Sequence, residues 1–203
     1  MRRVPVQDRG RRTVARVLDA AAEEFVSAGY DATTTTQIAQ RAGVSVGSLY
    51  QFFPDKQALL DALADRHVAG VDEILVASTR LGEDATLADI VRLIVEGIVD
   101  YTRAEPFFGV LFAGAGSAPV ARASGRLRSE LAGRVEAIIA YKPIAPERRK
   151  VVAAVCVDLL AALLPRTLDS RGRRVPAMIR EVELALGAYL AALVPAELSA
   201  ATG

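Results

Sequence analysis

The chain has 203 residues, of which 52% are hydrophobic and 24% charged, and its formal net charge is +1. A chain of this length forms one domain or two small ones, and it buries enough surface to fold without a disulfide or a metal. Its longest apolar run, Val151–Leu164, is interrupted by Asp158 and followed by Pro165, so it is too short to span a membrane. The single cysteine, Cys156, excludes an intramolecular disulfide. Together with an N-terminus that lacks the pattern of a secretory signal, it predicts a cytoplasmic protein.

The near-neutral total charge hides a basic beginning. The first sixteen residues contain one acidic residue, Asp8, and six arginines: Arg2, Arg3, Arg9, Arg11, Arg12 and Arg16. We interpret residues 1–10 as a basic N-terminal arm. Such an arm is either a solvated tail or a contact with nucleic acid, and composition alone leaves both interpretations open.

Helical periodicity runs through most of the chain, and no stretch alternates as a half-buried strand does. The sequence therefore predicts an all-α protein of about nine helices. Their predicted ranges are 13–28, 35–42, 45–53, 56–79, 86–104, 107–113, 119–141, 147–164 and 175–194. A basic loop at 165–176 precedes the last helix, and residues 196–203 are expected to form a flexible tail.

Local start and stop signals mark two short helices. Thr34 and Gln37 are spaced as in a capping box, in which the threonine hydroxyl accepts a hydrogen bond from the third helical amide and the glutamine reaches back to the cap. Gly43 supplies the positive φ of the following turn, and Ser45 is placed to cap the next helix. Asp55 is placed in the same way before the long helix that follows.

Two short helices that flank a glycine turn and follow a longer helix form a helix-turn-helix candidate. Ala39 is small enough for the two helices to cross closely. The predicted apolar joint consists of Ile38, Ala42, Val44, Leu49 and Phe53. Many helix pairs of this spacing are plain structural hairpins, so the spacing alone does not assign a function.

A wider run, from Gly29 to Leu60, is much more specific. Its sequence GYDATTTTQIAQRAGVSVGSLYQFFPDKQALL resembles the DNA-binding domain of the TetR family of transcriptional regulators. The matching elements are Gly29-Tyr30, the Thr pair, Ile38-Ala39, Ala42-Gly43-Val44-Ser45, Gly47, Leu49-Tyr50, Phe53, Lys56 and Leu59-Leu60. The resemblance implies a DNA-binding domain at 11–71 with its helix-turn-helix at 34–53, and a larger ligand-binding and dimerisation domain at 72–195.

The resemblance also implies which residues contact DNA. They are Thr34, Thr35, Thr36, Ser45, Val46, Gly47, Ser48, Tyr50, Gln51 and Lys56. Hydroxyl groups, helix N-termini and a lysine suit phosphate contacts, which fix register without reading sequence. We expect such contacts from Thr35, Thr36, Ser48, Tyr50 and Lys56.

Base readout is expected to be modest, because the second short helix contains no Arg or Lys. Gln51 is suited to an adenine edge and Val46 to thymine methyl groups, while Gly47 lets the backbone approach the groove. DNA shape and the basic arm are expected to supplement these contacts.

In the second half, the resemblance places an effector cavity beside the helix at 86–104. The predicted lining residues are His67, Ile94, Ile98, Tyr101, Phe108 and Phe112. A cavity lined in this way favours a small apolar or aromatic ligand. The alternative for each residue is plain core packing, which for His67 includes a hydrogen bond.

The helices at 147–164 and 175–194 carry more apolar surface than one core uses, which predicts a homodimer held by an intersubunit helix bundle. A dimer places two recognition helices in successive major grooves, about 34 Å apart, on a near-palindromic operator in double-stranded DNA. We expect a repressor in which a ligand shifts the helix at 56–79 and releases DNA, with the opposite sign of response left open.

Neither an enzyme nor a cofactor or metal is predicted. The single histidine, His67, excludes a multi-His metal site, and Cys156 lies in an apolar run where burial suppresses nucleophilicity. The alternative function is a helical dimer that binds a small molecule or a partner protein and has lost DNA binding. The arginine-free recognition helix is the sequence feature that favours this alternative.

Overall fold

The computed structural model of the chain describes residues 6–81, 85–114, 116–142 and 144–193. These residues form an all-α structure, which confirms the predicted fold class. The helices are α1 (Val6–Ala28), α2 (Thr35–Ala42), α3 (Val46–Tyr50), α4 (Lys56–Ser78), α5 (Leu87–Ala104), α6 (Pro106–Ala113), α7 (Ala118–Ile139), α8 (Pro146–Leu163) and α9 (Pro176–Ala191). Throughout the described ranges, each helix is too short or too polar to cross a membrane.

The chain divides into two compact units, which do not coincide with contiguous segments of the sequence. The first contains Met1–Arg66 and Pro106–Ser124, and the second contains His67–Glu105 and Gly125–Gly203. The helix α4 contributes its first half to the first unit and its second half to the second. The first unit also includes α6, because α6 packs on α1.

The core of the first unit is built on one face of α1. Val17, Ala21 and Phe25 are buried there, and α1 packs against both α2 and α6. The ring of Phe25 lies 5.3 Å from that of Phe107 on α6, centroid to centroid. Leu49 of α3 is completely buried, so the short third helix is held in the same core.

The second unit is organised around α5, which packs mainly against α9, while α8 also contacts α9. Its buried contacts are apolar and include Val95 and Val182, both completely buried. The polar side of α5 contacts the loop before α9. In this contact Arg174 of the loop forms ion pairs with Glu96 and with Asp100 of α5. These pairs attach the basic loop predicted at 165–176 to α5.

Several predicted helix ends differ from those observed, and two of the differences have a local cause. The helix α1 begins at Val6 rather than at residue 13, because a nucleated helix extends through a polar turn at little cost whereas periodicity detects only its apolar part. The helix α3 ends at Tyr50 rather than at residue 53. Pro54 disfavours helical backbone at Phe53, and the amides of residues 52 and 53 turn back to the carbonyl of Leu49 instead.

Candidate nucleic-acid interface

The helix α2 begins at a complete capping box, as the sequence predicts. The hydroxyl oxygen of Thr34 accepts a hydrogen bond from the amide of Gln37 at 3.2 Å. The side-chain oxygen of Gln37 accepts from the Thr34 amide at 2.8 Å and from its hydroxyl at 2.7 Å. The Thr34 side chain is therefore occupied in holding the start of the helix, although it remains exposed.

The turn after α2 depends on Gly43, whose φ of 63° lies in the left-handed region. The Gly43 amide donates a hydrogen bond to the carbonyl of Gln40 at 3.1 Å, and the Val44 amide donates one to the carbonyl of Ala39 at 3.0 Å. These bonds satisfy carbonyls at the end of the helix and direct the chain into α3. Ala39 is completely buried at this crossing, as its small size predicts.

Ser45 caps α3, since its hydroxyl oxygen accepts a hydrogen bond from the Ser48 amide at 3.1 Å. Of the predicted DNA contacts on this helix, Val46 and Ser48 are half-buried, whereas Gly47 and Tyr50 are exposed. Gln51 forms the C-cap and is exposed as well. The structure thus presents one face of α3 to solvent while Leu49 holds the opposite face in the core.

Two predicted phosphate contacts, on different helices, are brought together. The hydroxyl groups of Thr35 on α2 and Tyr50 on α3 lie 3.0 Å apart and share a hydrogen bond. Tyr50 is 48% exposed, so its hydroxyl also faces solvent. Thr36, the next residue of α2, is exposed beside Thr35. The start of α2 and the end of α3 therefore form one polar surface.

Of the adjacent phenylalanines after α3, one is buried and one is exposed. Phe53 is 7% exposed and belongs to the core, whereas Phe52 is 40% exposed. The ring of Phe52 lies near Gly10 of α1, where an added Cβ would be 3.9 Å from it. The residue that follows Gln51 therefore packs beside α1.

Lys56 has partners that the sequence did not indicate. Its ammonium group donates to the backbone carbonyls of Tyr30 at 2.6 Å, Thr33 at 2.9 Å and Asp31 at 3.2 Å. It also lies 4.4 Å from the centroid of the Tyr30 ring. An ammonium group has three donors, and all three are used here. These contacts use the ammonium donors in the isolated chain, and the phosphate contact expected of Lys56 stays a prediction.

The Tyr30 side chain is part of the same cluster. Burial, followed by the negative charges of Asp55 and Asp31, raises the pKa of Tyr30 above its ordinary value. The phenol is therefore protonated at neutral pH, and its ring is neutral beneath the ammonium group. Its hydroxyl lies 3.5 Å from the side-chain oxygen of Gln57 on α4, at the limit of a hydrogen bond.

The arginines near the N-terminus fall into three groups. Arg9, Arg11 and Arg12 are exposed on α1. Arg16 instead donates to the backbone carbonyl of Ala42 at 2.6 and 3.1 Å and to that of Gly43 at 2.9 Å. The other two, with the rest of residues 1–5 of the predicted arm, lie outside the described residues, as does the predicted tail.

Arg41 is also used within the unit. It pairs with Glu24 at 2.6 Å and with Glu23 at 3.0 Å, and both carboxylates belong to α1. The hydrogen bonds that Arg41 donates to Glu24 and then to Glu23 raise the pKa of Arg41. Arg41 is the single cationic residue in the segment 34–55. Direct positive charge at this surface therefore depends on α1.

The predicted effector residues fall into two groups, four in the second unit and two in the first. In the second unit, His67 is completely buried, and its Nδ1 lies 3.0 Å from the hydroxyl oxygen of Tyr101. Gly70 makes this arrangement possible, because a Cβ there would collide with the Tyr101 ring. On α5, Ile98 is buried and Ile94 is half-buried. A hydrogen-bonded, packed His67 agrees with the packing interpretation, and its contact with a ligand stays a prediction.

In the first unit, Phe108 and Phe112 of α6 are buried and stack with their ring centroids 5.1 Å apart. This is core packing within the unit. Their role beside an effector likewise stays a prediction.

Reactive groups give little support to catalysis. Burial raises the pKa of the Cys156 thiol to about 11, so little thiolate exists at neutral pH. The described ranges contain no cluster of His, Cys, Asp and Glu suited to a metal ion.

Family models match both halves of the chain. The model of bacterial regulatory proteins of the tetR family matches residues 17–63, which include the helix-turn-helix. The model of the tetracyclin repressor-like C-terminal domain matches residues 86–190, which include α5 through α9. The second match alone covers more than half of the chain.

Curated relatives are similar over about a third of the chain. The chain is 43% identical over 65 residues to the HTH-type transcriptional regulator YvkB of Bacillus subtilis, which is 32% of this chain and 34% of the relative. It is 44% identical over 68 residues to the HTH-type transcriptional activator FasR of Mycolicibacterium smegmatis, covering 32% of this chain and 31% of the relative. The chain thus matches about a third of the length of these relatives.

Solved structures share the fold over nearly the whole chain. A TetR-family transcriptional regulator from Streptomyces coelicolor, 24% identical, covers 90% of this chain and 99% of its own with a TM-score of 0.67. A TetR-family regulator from Syntrophomonas wolfei, 16% identical, gives 0.74 with coverage of 91% and 97%. FadR from Bacillus subtilis in complex with stearoyl-CoA, 15% identical, gives 0.64 with coverage of 86% and 98%. These structures show the fold, and the two family models show the family: the chain belongs to the TetR family of bacterial transcriptional regulators.

Proposed function

We propose that this protein is a ligand-responsive repressor that binds a near-palindromic operator as a homodimer. The observation that supports it best is the polar surface formed by the start of α2 and the end of α3. There the linked hydroxyls of Thr35 and Tyr50 are adjacent to the exposed amide of Gln51. Hydroxyls suit phosphate oxygens and a glutamine suits an adenine edge, so one surface combines positioning with base readout.

Affinity in this proposal comes from two sources. The hydroxyls of α2 and α3 supply neutral phosphate contacts, and the exposed Arg9, Arg11 and Arg12 of α1 supply the charge. With one polar base-reading side chain on α3, DNA shape contributes a larger share of specificity than in a reader with arginines.

Dimerisation is proposed through α8 and α9. Val151 on α8 is 63% exposed and Leu184 on α9 is 65% exposed in the isolated chain. Large apolar side chains that face solvent on adjoining helices are typical of a surface covered by another subunit. A second copy is the expected occupant, because two readers on one two-fold axis match a palindromic site.

The effector is proposed to be a small molecule with an apolar or aromatic body, bound in the second unit near α4 and α5. Ile94 and Ile98 offer apolar surface, and the His67–Tyr101 pair offers a polar end. The solved complex of Bacillus subtilis FadR contains stearoyl-CoA, and an acyl chain is one ligand of this apolar class. The helix α4 runs from one unit into the other. A ligand that binds more tightly to the protein with α4 in one of two positions would therefore favour that position and change the affinity for DNA.

One observation favours the alternative, a dimeric binding module that has lost DNA binding. Lys56 and Arg41, the cations closest to the reading surface in sequence, are both engaged by groups of the same unit. Binding experiments separate the two functions, because the alternative requires that operator DNA and unrelated DNA are bound equally weakly.

The first experiment is fluorescence anisotropy with the full chain and the intergenic DNA upstream of its own gene. Tyr50→Phe removes one hydroxyl, and Tyr141→Phe makes the same change at a side chain that is 91% exposed in the second unit. We expect Tyr50→Phe to lose about 1 kcal/mol of binding free energy, roughly fivefold in affinity, and Tyr141→Phe to match the wild type. Equal affinities for all three proteins would reject the proposed reading surface.

A hydroxyl-radical footprint then tests the dimer. Two protected half-sites, centred about one helical turn apart or a whole multiple of it, are expected for a two-fold reader. A single half-site would count against a homodimeric reader. A reporter carrying the same DNA tests the sign of regulation: expression should rise when the protein is removed, and a fall would identify an activator.

A further inference from the structure

Two cations donate hydrogen bonds to backbone carbonyls on the two sides of α2: Lys56, which the resemblance assigns to DNA contact, and Arg16, one of the six arginines in the first sixteen residues. We propose that Lys56 and Arg16 are positioning residues, which fix the orientation of the helix-turn-helix by holding backbone carbonyls and do not neutralise phosphates. The inference rests on the proposed DNA-binding function only for its binding measurement, because its structural measurement needs no DNA.

Lys56 holds the segment that leads into α2. Its three carbonyl partners belong to Tyr30, Asp31 and Thr33, and the Thr33 carbonyl immediately precedes the capping residue Thr34. Thr33 is itself 2% exposed, and its hydroxyl donates to the carbonyl of Gly29 at 2.8 Å. The first residue of α4 thus fixes the loop from which α2 begins.

These bonds matter for DNA because the residues that follow the loop are the capping Thr34 and the two threonines at the start of α2, which are expected to contact DNA. If the loop shifts, the capping box at Thr34 shifts with it, and so does the Thr35 hydroxyl that is bonded to Tyr50. A contact surface that is already ordered in the free protein does not have to be ordered when DNA binds. A loop that is free to shift adds this entropic cost and lowers the affinity for DNA. Lys56 therefore acts on affinity through the threonines and not through its charge.

Arg16 holds the other end. Its guanidinium donates twice to the carbonyl of Ala42, the last residue of α2, and once to the carbonyl of Gly43 in the turn. Carbonyls at the end of a helix carry partial negative charge, so a guanidinium is well suited to them. This attachment ties the turn to α1 at a position where the chain changes direction between α2 and α3.

The consequence concerns salt. The affinity falls as salt rises, and each phosphate that a protein neutralises makes the slope of log affinity against log salt concentration steeper by about 0.9. A cation whose donors are all bonded to carbonyls keeps its charge but makes no direct phosphate contact, so we expect it to add little to this slope. The salt dependence of this reader should therefore come from exposed arginines such as Arg9, Arg11 and Arg12 of α1, and not from Arg16 or Lys56.

The experiment compares Lys56→Met and Arg16→Met with two control variants, Arg80→Met and Arg171→Met. Both control positions are exposed and lie outside α8 and α9, Arg80 after α4 and Arg171 in the loop before α9. We expect Lys56→Met and Arg16→Met each to lose on the order of tenfold in affinity for the upstream DNA with the salt slope unchanged. A slope that is less steep by about 0.9 in either variant would overturn the proposal, since it would show a lost phosphate contact.

Hydrogen exchange of the free protein supplies the structural measurement. Lys56→Met should accelerate exchange at the amides of Thr33 and Thr34, and Arg16→Met at those of Gly43 and Val44. Each variant serves as the control for the other, because each should leave the opposite end of α2 unchanged. Unchanged exchange at both ends would refute the positioning role. If the wild type binds no DNA, the proposed function fails while this measurement still decides the inference.

Lys56→Arg separates charge from geometry. A phosphate contact tolerates arginine, whose planar fork binds phosphate well. Three carbonyls that converge on one nitrogen do not match that fork, so we expect Lys56→Arg to lose affinity much as Lys56→Met does. Wild-type affinity in Lys56→Arg would contradict the proposal. This variant also carries the test if Lys56→Met fails to fold.

Discussion

The helix-turn-helix and the α8–α9 pair are held by different kinds of interaction. The helix α2 has a complete capping box at its start and arginine-bonded carbonyls at its end. By contrast, α8 and α9 both begin with proline and have no side-chain cap, and they leave Val151 and Leu184 largely exposed. Directional bonds fix one geometry, whereas apolar faces accept any surface that covers them. The difference suits a part that must match DNA and a part proposed to meet a second copy.

The largest effect is expected when one leucine in each region is replaced by alanine. Leu49 is completely buried and Leu184 is 65% exposed. Leu49→Ala should lower the free energy of unfolding by about 2–5 kcal/mol, because it leaves a cavity in the core. Leu184→Ala should change the stability of the chain itself by less than about 0.5 kcal/mol. Urea unfolding followed by circular dichroism measures both.

The Leu184→Ala variant should instead weaken dimerisation, which sedimentation velocity detects as a higher dissociation constant. Unfolding is measured at several protein concentrations, because the stability of a dimer depends on concentration. Equal losses of stability in the two variants at the lowest concentration would contradict the contrast.

A smaller effect, of opposite sign at two positions, is expected when a glycine of the helix-turn-helix and a glycine of α7 are each replaced by alanine. Gly43 has a φ of 63°, so Gly43→Ala should cost about 1–2 kcal/mol in unfolding free energy. Gly133 lies within α7, and an added Cβ there meets nothing within 4 Å. Gly133→Ala should therefore stabilise the protein by up to about 1 kcal/mol. Thermal unfolding measures both, and a Gly43→Ala variant as stable as the wild type would show that the turn is not restrained.

The smallest effect separates the two capping boxes by pH. Thr34 pairs with the neutral Gln37, whereas Thr86 at the start of α5 pairs with Asp89. Hydrogen bonds from Thr86 hold the pKa of Asp89 below its ordinary value of 3.8. A lowered pKa in the folded state means that Asp89 adds stability above about pH 4, which is lost as pH falls through the lowered value.

The melting temperature of the wild type should accordingly fall more steeply between about pH 5 and pH 3 than that of Asp89→Asn. Gln37→Ala should keep the wild-type slope, because a neutral cap does not titrate in this range. Parallel curves for wild type and Asp89→Asn would show that the cap contributes nothing through its charge.

The features that the sequence predicts correctly are local ones. The capping box at Thr34, the left-handed Gly43 and the Ser45 cap each depend on residues within a few positions, so their spacing contains the information. The partners of Lys56 lie 23 to 26 residues earlier in the chain, and those of Arg16 lie 26 and 27 residues later. Their partners are also backbone carbonyls, which every residue has. No residue pattern could therefore indicate these contacts.

In the effector region, too, the sequence predicts the helices but not the contacts between their side chains. Helical periodicity places His67 and Tyr101 on separate helices, but the hydrogen bond between them depends on Gly70, which lets the tyrosine ring cross α4. The sequence likewise groups Phe108 and Phe112 with residues that the fold assigns to another compact unit. Only packing decides such groupings.

The most direct test of the central claim, that the exposed face of α3 reads DNA, is a comparison of two affinities under one stated salt condition. The purified full chain is titrated into the intergenic DNA upstream of its own gene and into a shuffled duplex of equal length and composition. A sequence-specific reader should bind the first at least about a thousandfold more tightly. Equal affinities for the two duplexes would contradict the account.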